Sequence, residues 1–276
     1  MNLDSIQAIL IAAGIVGAVG IILGLLLGLA AKAFEVKVDE KEVKVREALP
    51  GNNCGGCGFP GCDGLAHAIA TKEAPVNRCP VGGAPVAEVI AGIMGVEAGD
   101  SNRQVAFVKC VGTCDKTEKN YNSYGIMDCV QAAQVPGEGG KGCSHGCMGL
   151  GSCERACPFD AIHVVDGVAY VEKEKCVACG KCVAICPKNV IELVPYENQF
   201  MVACSSSEKG KDVKAVCSTG CIGCSMCVRV CESDAVHVTD NLAKIDYTKC
   251  INCGKCAAKC PSKVIMKKGD KVEVAN

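Results

Sequence analysis

Two runs of cysteine have a spacing that suits iron–sulfur clusters. They read "CVACGKCVAICP" at residues 176–187 and "CINCGKCAAKCP" at residues 250–261, and both follow the pattern C-x2-C-x2-C-x3-C-P. A tight loop can present the first three thiolates to three irons of one [4Fe–4S] cluster, while the fourth lies on the turn that leaves it. Zinc ribbons also use C-x2-C pairs, but zinc requires neither the third cysteine nor a fourth before proline. The two runs therefore predict iron–sulfur sites.

Each run needs a second run as its mate, because in two-cluster ferredoxins the fourth cysteine binds the other cluster. For the run at 250–261 the mate is "CIGCSMCVRVCE" at residues 221–232, in which Glu232 stands in place of proline. Ligation is predicted to cross over between the two runs. One cluster is assigned to Cys221, Cys224, Cys227 and Cys260, and the other to Cys231, Cys250, Cys253 and Cys256.

The mate of the run at 176–187 is irregular. The stretch "CSHGCMGLGSCERACP" at residues 143–158 aligns without gaps on the stretch that begins at Cys217, and Leu150 stands where the later copy has Cys224. This internal repeat identifies a ferredoxin half that lacks its middle thiolate, and nearby Cys143 is the predicted substitute. One cluster is thus assigned to Cys143, Cys147, Cys153 and Cys186, and the other to Cys157, Cys176, Cys179 and Cys182.

A different cysteine motif precedes these, in "NCGGCGFPGCDGLAHAIA" at residues 53–70. Cys54, Cys57 and Cys62 are followed by Cys79 in "NRCPVGG". The glycines allow the backbone to wrap closely around a bound group, and residues 63–73 are predicted to form a helix that returns the chain to Cys79. Four cysteines without a nearby ligand histidine favour a [4Fe–4S] cluster, with a zinc site as the alternative.

Five cysteines remain outside these assignments. They are Cys110, Cys114, Cys129, Cys204 and Cys217. The stretches "VKCVG" and "VACSS", which contain Cys110 and Cys204, are candidate counterparts in the repeat. Buried cysteines that behave as small hydrophobes are one interpretation. The other is a sixth cluster held by Cys110, Cys114, Cys129 and Cys143, which would take Cys143 away from the assignment above.

The N-terminal segment is predicted to be a membrane anchor. Ser5–Ala31 reads "SIQAILIAAGIVGAVGIILGLLLGLAA", 27 residues without a charge, which is long enough to span a bilayer as a helix. A cleaved signal peptide, the alternative, needs a basic start and a shorter apolar core. Basic residues follow the segment and place the C-terminal bulk in the cytoplasm. A stripe of glycines favours a partner helix in the membrane. The stripe consists of Gly14, Gly17, Gly20, Gly24 and Gly28.

Composition narrows the range of functions. The 276 residues contain 25 cysteines, no tryptophan and only 4% aromatic residues, so bound metal is expected to supply stability that large core side chains cannot. The net charge of -1, without a basic patch, gives no support for nucleic-acid binding. The sequence has no phosphate loop, no dinucleotide motif and no nucleophile–base arrangement. Tight C-x2-C runs, rather than a disulfide framework, indicate a reducing compartment.

The expected fold is α+β, with a transmembrane helix, a small [4Fe–4S] domain and two tandem ferredoxin modules. Hairpin signals lie at residues 161–171 around Asp166-Gly167 and at residues 235–245 around Asp240-Asn241. The expected boundaries are 1–34 for the anchor, 35–103 for the four-cysteine domain, 104–142 for a connecting region, 143–199 for ferredoxin module 1 and 200–276 for ferredoxin module 2.

The chain resembles the RnfB family, the iron–sulfur subunits of the Rnf complex. The specific part of the resemblance is "CGGCGFPGC" after a membrane helix, whereas the ferredoxin runs are generic, and the resemblance covers nearly the whole chain. It implies an electron-relay subunit of an ion-translocating (Na⁺ or H⁺) ferredoxin:NAD⁺ oxidoreductase in the cytoplasmic membrane. It also implies soluble ferredoxin as the electron donor, and integral and peripheral partner subunits that hold the flavins, NAD⁺ and the ion path. This chain alone would have no complete active site.

A soluble ferredoxin is usually acidic, so basic residues around module 2 are candidates for docking it. They are Lys255, Lys259, Lys263, Lys267, Lys268 and Lys271. A solvated face without a partner is the alternative interpretation of these lysines. Two other functions stay open at this point: a membrane-tethered polyferredoxin of another redox complex, and a zinc-stabilised scaffold without a redox role.

Overall fold

A computed structural model of the chain describes residues 3–33, 39–99, 103–122, 124–125 and 128–267. The first helix, α1, runs over Leu3–Ala33, and its side chains are described at residues 14–30 and at residue 32. The large apolar side chains in that part are exposed, from 49% at Val19 to 72% at Val16. Among the described residues, no helix is both long enough and apolar enough to cross a membrane. The anchor expected from the sequence therefore stays a prediction.

Three helices form the four-cysteine domain, called the Fe–S domain below (described residues 39–99). They are α2 (Glu40–Ala48), α3 (Gly61–Ala70) and α4 (Gly83–Met94). Asp39 caps α2, since its carboxylate accepts a hydrogen bond from the Lys41 backbone N–H, and Gly95 ends α4 in the left-handed conformation. The helix expected over residues 63–73 is confirmed as α3, which begins two residues earlier and ends before Thr71.

Short helices and strands make up the rest of the described chain. In order they are β1 (Gln104–Val108), α5 (Cys129–Ala132), α6 (Ser152–Arg155), β2 (Ile162–Val165), β3 (Val168–Val171), α7 (Lys181–Ile185), β4 (Ile191–Pro195), β5 (Phe200–Val202), α8 (Gly210–Val216), α9 (Met226–Arg229), β6 (Val236–Thr239), β7 (Leu242–Ile245), α10 (Lys255–Lys259) and β8 (Ile265–Lys267). All the strands pair antiparallel, in two-stranded sheets.

Two of these sheets are the hairpins expected from the sequence. Strands β2 and β3 join at Asp166-Gly167, where φ is +49° and +75°, and β6 and β7 join at Asp240-Asn241, where φ is +51° and +60°. Two central residues with positive φ fit the type I′ turn, which suits the twist of a two-residue hairpin. The hairpin predictions are therefore confirmed.

The other two sheets extend each repeat toward the N-terminus. Strand β1 pairs with β4, so that Val108 lies opposite Ile191, and β5 pairs with β8, so that Val202 lies opposite Ile265. Ile191 and Ile265 occupy equivalent places in the two copies. Strand β1 falls in the region 104–142 that the sequence assigned to a connection, yet it pairs with β4 of module 1.

The buried side chains form three cores that follow this organisation. The core of the Fe–S domain includes Val45, Leu65, Ile69 and Ile90. The core of module 1 includes Val105, Ile162, Val168, Val190 and Val194, and that of module 2 includes Val202, Val236, Val264 and Ile265. Cysteines pack into each core, so the sites described below lie directly against the apolar interior.

Candidate metal centres

The 25 cysteines all lie within the described residues, and all are free thiols. Among the described residues, no three His, Cys, Asp or Glu side chains converge closely enough to hold a single metal ion. A [4Fe–4S] cluster binds one thiolate at each of four irons, so its ligands are spaced more widely than those of a single ion. A cluster site is therefore recognised by four cysteines that surround a common space.

The regular run of module 1 forms such a group. The pKa of the Cys182 thiol is raised to about 12, chiefly by burial and in smaller part by the neighbouring thiols of Cys176, Cys179 and Cys157. A cavity of about 20 Å³ is lined by all four of these cysteines together with apolar side chains. The Ala106 backbone N–H donates to the Cys176 sulfur at 3.4 Å. The structure thus brings together the four residues that the sequence assigned to this cluster.

Module 2 repeats the arrangement. Burial raises the pKa of Cys227 to about 11, with Cys221 and Cys260 as its neighbouring thiols, and Cys256 has Cys250 and Cys253 as its neighbours. These neighbours match the crossed assignment expected for two-cluster ferredoxins.

Cys231 of module 2 and its counterpart Cys157 of module 1 receive the same backbone contact. The Ala235 N–H donates to the Cys231 sulfur at 3.3 Å, and in module 1 the Ala161 N–H donates to the Cys157 sulfur at 3.5 Å. Equal backbone contacts at equivalent cysteines indicate that both modules build this site in the same way.

In the irregular half of module 1, a thiol that sequence spacing did not assign lies beside the expected cysteines. The pKa of Cys153 is raised to about 12, chiefly by burial and in smaller part by the thiols of Cys147, Cys129 and Cys186. Cys147, Cys153 and Cys186 were assigned to this site from the sequence, but Cys129 was not. Cys129 is buried and begins the short helix α5 in the region between β1 and module 1.

A polar network fixes α5 against module 1. The Asp128 carboxylate caps α5 by accepting hydrogen bonds from the backbone N–H groups of Val130 at 2.9 Å and Gln131 at 3.1 Å. It also accepts from the Ser152 hydroxyl at 3.0 Å and from Arg155 at 2.9 Å, both on α6. The Cys129 N–H donates to the same hydroxyl at 2.7 Å. These contacts hold Cys129 beside the helix that carries Cys153.

Cys143, the substitute ligand expected from the sequence, has different neighbours. Burial raises the pKa of its thiol, and the thiols of Cys110 and Cys217 add to the rise. A Cβ atom placed on Gly146 would lie 3.3 Å from the Cys143 sulfur and 3.5 Å from the Cys110 sulfur. These positions favour the alternative in which Cys143 serves another group. Sequence spacing could not identify Cys129, because it lies 18 positions before Cys147 with no local pattern.

The Fe–S domain brings Cys57, Cys62 and Cys79 together near the start of α3. Burial raises the pKa of Cys79, and the thiols of Cys62 and Cys57 add to the rise. The Gly82 N–H donates to the Cys79 sulfur at 3.3 Å, and the Asn53 side chain accepts from the Cys62 N–H at 2.8 Å. Both contacts lie at the N-terminal ends of helices, because Cys62 is in the first turn of α3 and Gly82 precedes α4.

This domain contacts module 1 at the loop that holds a second cluster site. A Cβ atom on Gly56 would lie 2.8 Å from both the Cα and the carbonyl oxygen of Cys179, so only glycine fits there without movement. The thiol of Cys54 is also a neighbour of Cys179. The Fe–S domain site and the Cys157–Cys182 site are therefore adjacent.

The surroundings of these thiols fit [4Fe–4S] clusters. A thiolate is the form that binds iron, yet burial raises the pKa of several of these cysteines, so without metal they are held as thiols at neutral pH. Metal binding releases their protons and couples cluster assembly to folding. Backbone N–H groups directed at the sulfurs stabilise the negative charge of a bound cluster.

Family models match the same regions. One described as "Putative Fe-S cluster" matches residues 49–81, and one described as "LdpA Fe-S cluster-binding domain" matches residues 143–197. A third, described as "4Fe-4S dicluster domain", matches residues 175–235 and 220–264. The chain thus carries Fe–S and [4Fe–4S] dicluster domains, although these matches do not fix the number of clusters.

Relatives resemble the chain over most of its length. The B subunit of the Na⁺-translocating ferredoxin:NAD⁺ oxidoreductase complex of Acetobacterium woodii is 51% identical over 245 residues, which cover 88% of this chain and 73% of the relative. The B subunit of the ion-translocating oxidoreductase complex of Methanosarcina acetivorans is 42% identical over 94% of this chain and 97% of its own. The counterpart from the proton-translocating complex of Clostridium ljungdahlii is 40% identical over 83% and 81%. The chain belongs to the RnfB family, the B subunits of ion-translocating ferredoxin:NAD⁺ oxidoreductase complexes.

Proposed function

We propose that this chain is the electron-relay subunit of a membrane-bound ion-translocating ferredoxin:NAD⁺ oxidoreductase. It would accept electrons from reduced ferredoxin and pass them to other subunits. The observation that carries the proposal is that groups of neighbouring cysteines lie in the Fe–S domain and in both ferredoxin modules. When bound, [4Fe–4S] clusters accept and release single electrons without making or breaking bonds to a substrate. The chain's part is to hold, space and insulate them.

Five ligand sets are proposed, and four of them keep the sequence assignment. Cys129 replaces Cys143 in the remaining set, because its thiol is the one that neighbours Cys153. The sets are Cys54, Cys57, Cys62 and Cys79; Cys129, Cys147, Cys153 and Cys186; Cys157, Cys176, Cys179 and Cys182; Cys221, Cys224, Cys227 and Cys260; and Cys231, Cys250, Cys253 and Cys256.

The first helix would anchor the relay to the cytoplasmic membrane, with the clusters on the cytoplasmic side. Its apolar segment contains no charge from Ser5 to Ala31, and the described large apolar side chains face outward rather than into a protein core. Lipid would cover such a surface, and the basic residues that follow it favour the cytoplasmic side. Partner subunits with membrane helices would then lie within reach of the Fe–S domain.

The equivalent loops that contain Cys179 and Cys253 differ in how exposed they are. In module 1, Gly56 of the Fe–S domain packs against Cys179. In the equivalent loop of module 2, Phe200 packs beside Gly254 and the Gln199 N–H donates to Asn252 at 2.9 Å, but Cys253 is exposed and Ile251 is 63% exposed. An exposed apolar side chain beside a cluster site suits transient docking of a redox partner. The module 2 end is therefore proposed to receive electrons from soluble ferredoxin.

The lysines expected to dock ferredoxin belong to the same module as the Cys253 loop. Lys255, Lys259, Lys263 and Lys267 are exposed, and Lys255 pairs with Glu232. Lys268 and Lys271 lie outside the described residues. Exposed charges of one sign attract an acidic partner over roughly 10 Å at 0.1 M salt, and they change the association rate more than the final affinity.

The test uses the full-length chain, purified anaerobically in detergent and mixed with reduced soluble ferredoxin. We expect rapid bleaching of its visible iron–sulfur absorbance. A triple variant, Lys259→Glu, Lys263→Glu and Lys267→Glu, should slow this reaction roughly tenfold at low salt and less at high salt. The control, Lys44→Glu, Lys72→Glu and Lys214→Glu, changes net charge equally at exposed sites elsewhere.

The outcomes separate the proposal from its alternatives. Stoichiometric zinc with little iron would overturn the relay and favour a scaffold. Iron-loaded protein that ferredoxin does not reduce would favour a polyferredoxin of another redox complex. Equal rates for the two triple variants would remove the lysines from the docking surface while leaving the relay itself in place.

A further inference from the structure

The junction of the two ferredoxin modules contains a group of cysteines that the five ligand sets do not use. A cavity of about 30 Å³ there is lined by Cys110, Cys143, Cys204 and Cys217. The rest of the lining combines small and apolar residues such as Val111, Val213 and Val216 with serines, threonines and two lysines, Lys109 and Lys141. The Cys157 site, lined by its own four cysteines, has a cavity of similar size, about 20 Å³. The junction thus resembles a ferredoxin cluster site in both size and thiol count.

The internal repeat explains why four cysteines meet at this point. Cys110 lies two residues after the end of β1, and Cys204 lies two residues after the end of β5, the equivalent strand of the second copy. Cys143 and Cys217 are also equivalent in the alignment of the two copies. Each module therefore contributes the same pair of cysteines, and the two pairs face one another across the junction.

Specific contacts hold the two pairs together. The Ser205 hydroxyl donates to the carbonyl oxygens of Lys109 at 3.3 Å and His145 at 2.7 Å, so the loop after β5 is fixed between the two parts of module 1. A β-bridge joins Thr117 to Cys217. These contacts lie next to all four cysteines. The junction is consequently an organised site rather than a chance gap between modules.

The glycines and backbone groups around the cavity favour bound thiolates. A Cβ on Gly146 would approach the Cys143 and Cys110 sulfurs at 3.3 and 3.5 Å, and one on Gly112 would approach those of Cys217 and Cys110 at 3.5 and 3.8 Å. Added side chains would therefore intrude beside three of the sulfurs. The Cys221 N–H donates to the Cys204 sulfur at 3.4 Å. This is the same kind of contact that the assigned ligands receive.

We propose that Cys110, Cys143, Cys204 and Cys217 bind a further [4Fe–4S] cluster at the junction of the two modules, called the junction site. The proposal rests on the electron-relay function above and adds a sixth position to it. It keeps Cys110 and Cys143 of the sixth cluster considered from the sequence, and replaces Cys114 and Cys129 by Cys204 and Cys217. Of the 25 cysteines, only Cys114 is then left without a cluster.

The junction site would connect the two modules electrically. Cys110 is a neighbour of Cys147, a ligand in module 1, and Cys204 contacts Cys221, a ligand in module 2. When one electron passes to the junction cluster, the donor cluster is oxidised by one electron, and onward transfer restores the junction cluster to its oxidised state. The two modules would then form one continuous relay instead of two separate cluster pairs.

The test counts iron and acid-labile sulfide per full-length chain after anaerobic purification. Six occupied sites of four irons predict about 24 iron atoms in the wild type. Cys217→Ser and Cys204→Ser should each lose about four irons and four sulfides. Cys114→Ser is the matched control, since Cys114 is exposed and does not line the cavity, and should keep the wild-type count.

The possible results decide the proposal in each direction. About 20 irons in the wild type, with no further loss in either junction variant, would overturn the junction site but leave the electron-relay function standing. A protein without iron would overturn both. Should the serine variants misfold, as judged by far-UV circular dichroism, the wild-type count decides alone: about 24 supports the sixth site and about 20 rejects it.

Discussion

The two ferredoxin modules have the same sheets and hairpins but differ in how one of their sites obtains its thiols. In module 2, Cys221, Cys224 and Cys227 come from a single loop. In module 1, Leu150 stands in place of the middle cysteine, and Cys129 reaches the site from a separate helix. In both modules the residue that follows this position, Gly151 or Ser225, has positive φ and precedes a short helix.

The source of the substitute thiol is an insertion. In module 1 Cys143 follows Cys110 by 33 positions, whereas in module 2 the equivalent Cys217 follows Cys204 by only 13. The longer connection contains α5 and therefore Cys129. On the proposed assignment, the site of module 1 lacks one ligand in its loop, and the inserted segment, fixed by its own hydrogen bonds, supplies a thiol from outside.

Removal of the Cys129 thiol should have the largest effect on module 1. Cys129→Ser should cost module 1 one cluster, about four irons per chain, or leave a three-iron cluster with its own paramagnetic signal in the oxidised state. Iron analysis and electron paramagnetic resonance of the full-length chain would measure the loss. A full iron count in Cys129→Ser, together with loss in Cys143→Ser at the same site, would restore the assignment expected from sequence spacing.

A second variant restores the missing cysteine in the loop of module 1. Leu150→Cys, added to Cys129→Ser, places a thiol at the position where module 2 has Cys224, again just before a residue with positive φ. We expect the double variant to regain most of the lost iron. Cys224→Ser is the matched counterpart in module 2, and should lose about as much iron as Cys129→Ser loses in module 1.

A second contrast concerns the loops that hold Cys179 and Cys253, which are equivalent in the repeat. Gly56 of the Fe–S domain packs against Cys179, whereas Cys253 is exposed. Gly56→Ala would place a methyl group 2.8 Å from the Cys179 backbone, which cannot move aside as a flexible side chain could. Overpacking of this kind costs about 1–3 kcal/mol. We expect the variant to release iron to a chelator faster than the wild type does.

Gly92→Ala is the control for this change. Gly92 lies in α4 with no atom within 4 Å of the added methyl group, and alanine favours a helix over glycine. Its clusters should therefore resist the chelator at least as well as those of the wild type. Equal chelation rates in Gly56→Ala and Gly92→Ala would mean that the Fe–S domain does not shield the Cys179 loop.

Local patterns in the sequence predicted the elements that local forces determine. The hairpins at Asp166-Gly167 and Asp240-Asn241 were predictable, because residues that accept positive φ specify the turn. The partner of β1 was not, since it lies more than 80 residues away in β4 and short strands of β-branched residues pair equally well with many others.

The cysteine sites divide in the same way. Runs such as Cys176–Cys186 are readable because neighbouring ligands have fixed spacing. Cys129 has no such signal: only the folded chain shows that Asp128 caps its helix and binds Ser152 and Arg155 on α6. The junction cysteines, likewise, meet only because the two copies pack face to face.

The smallest expected effect comes from the network that positions Cys129. Hydrogen bonds from the backbone N–H of Gln131, then from Ser152 and Arg155, hold the pKa of Asp128 below its ordinary value. A depressed pKa means that the stabilisation is present above the ordinary aspartate range and is lost only as the pH falls through the lower value. The carboxylate is therefore fully ionised at neutral pH, where Asp128→Asn removes its charge but keeps its shape.

Because Cys129 remains, the Asp128→Asn variant should assemble every cluster yet lose one of them to a chelator faster than the wild type. Asp212→Asn, an exposed aspartate in the first turn of α8, is the control. If both variants released iron at the wild-type rate, the inserted helix would be held by its cluster rather than by Asp128.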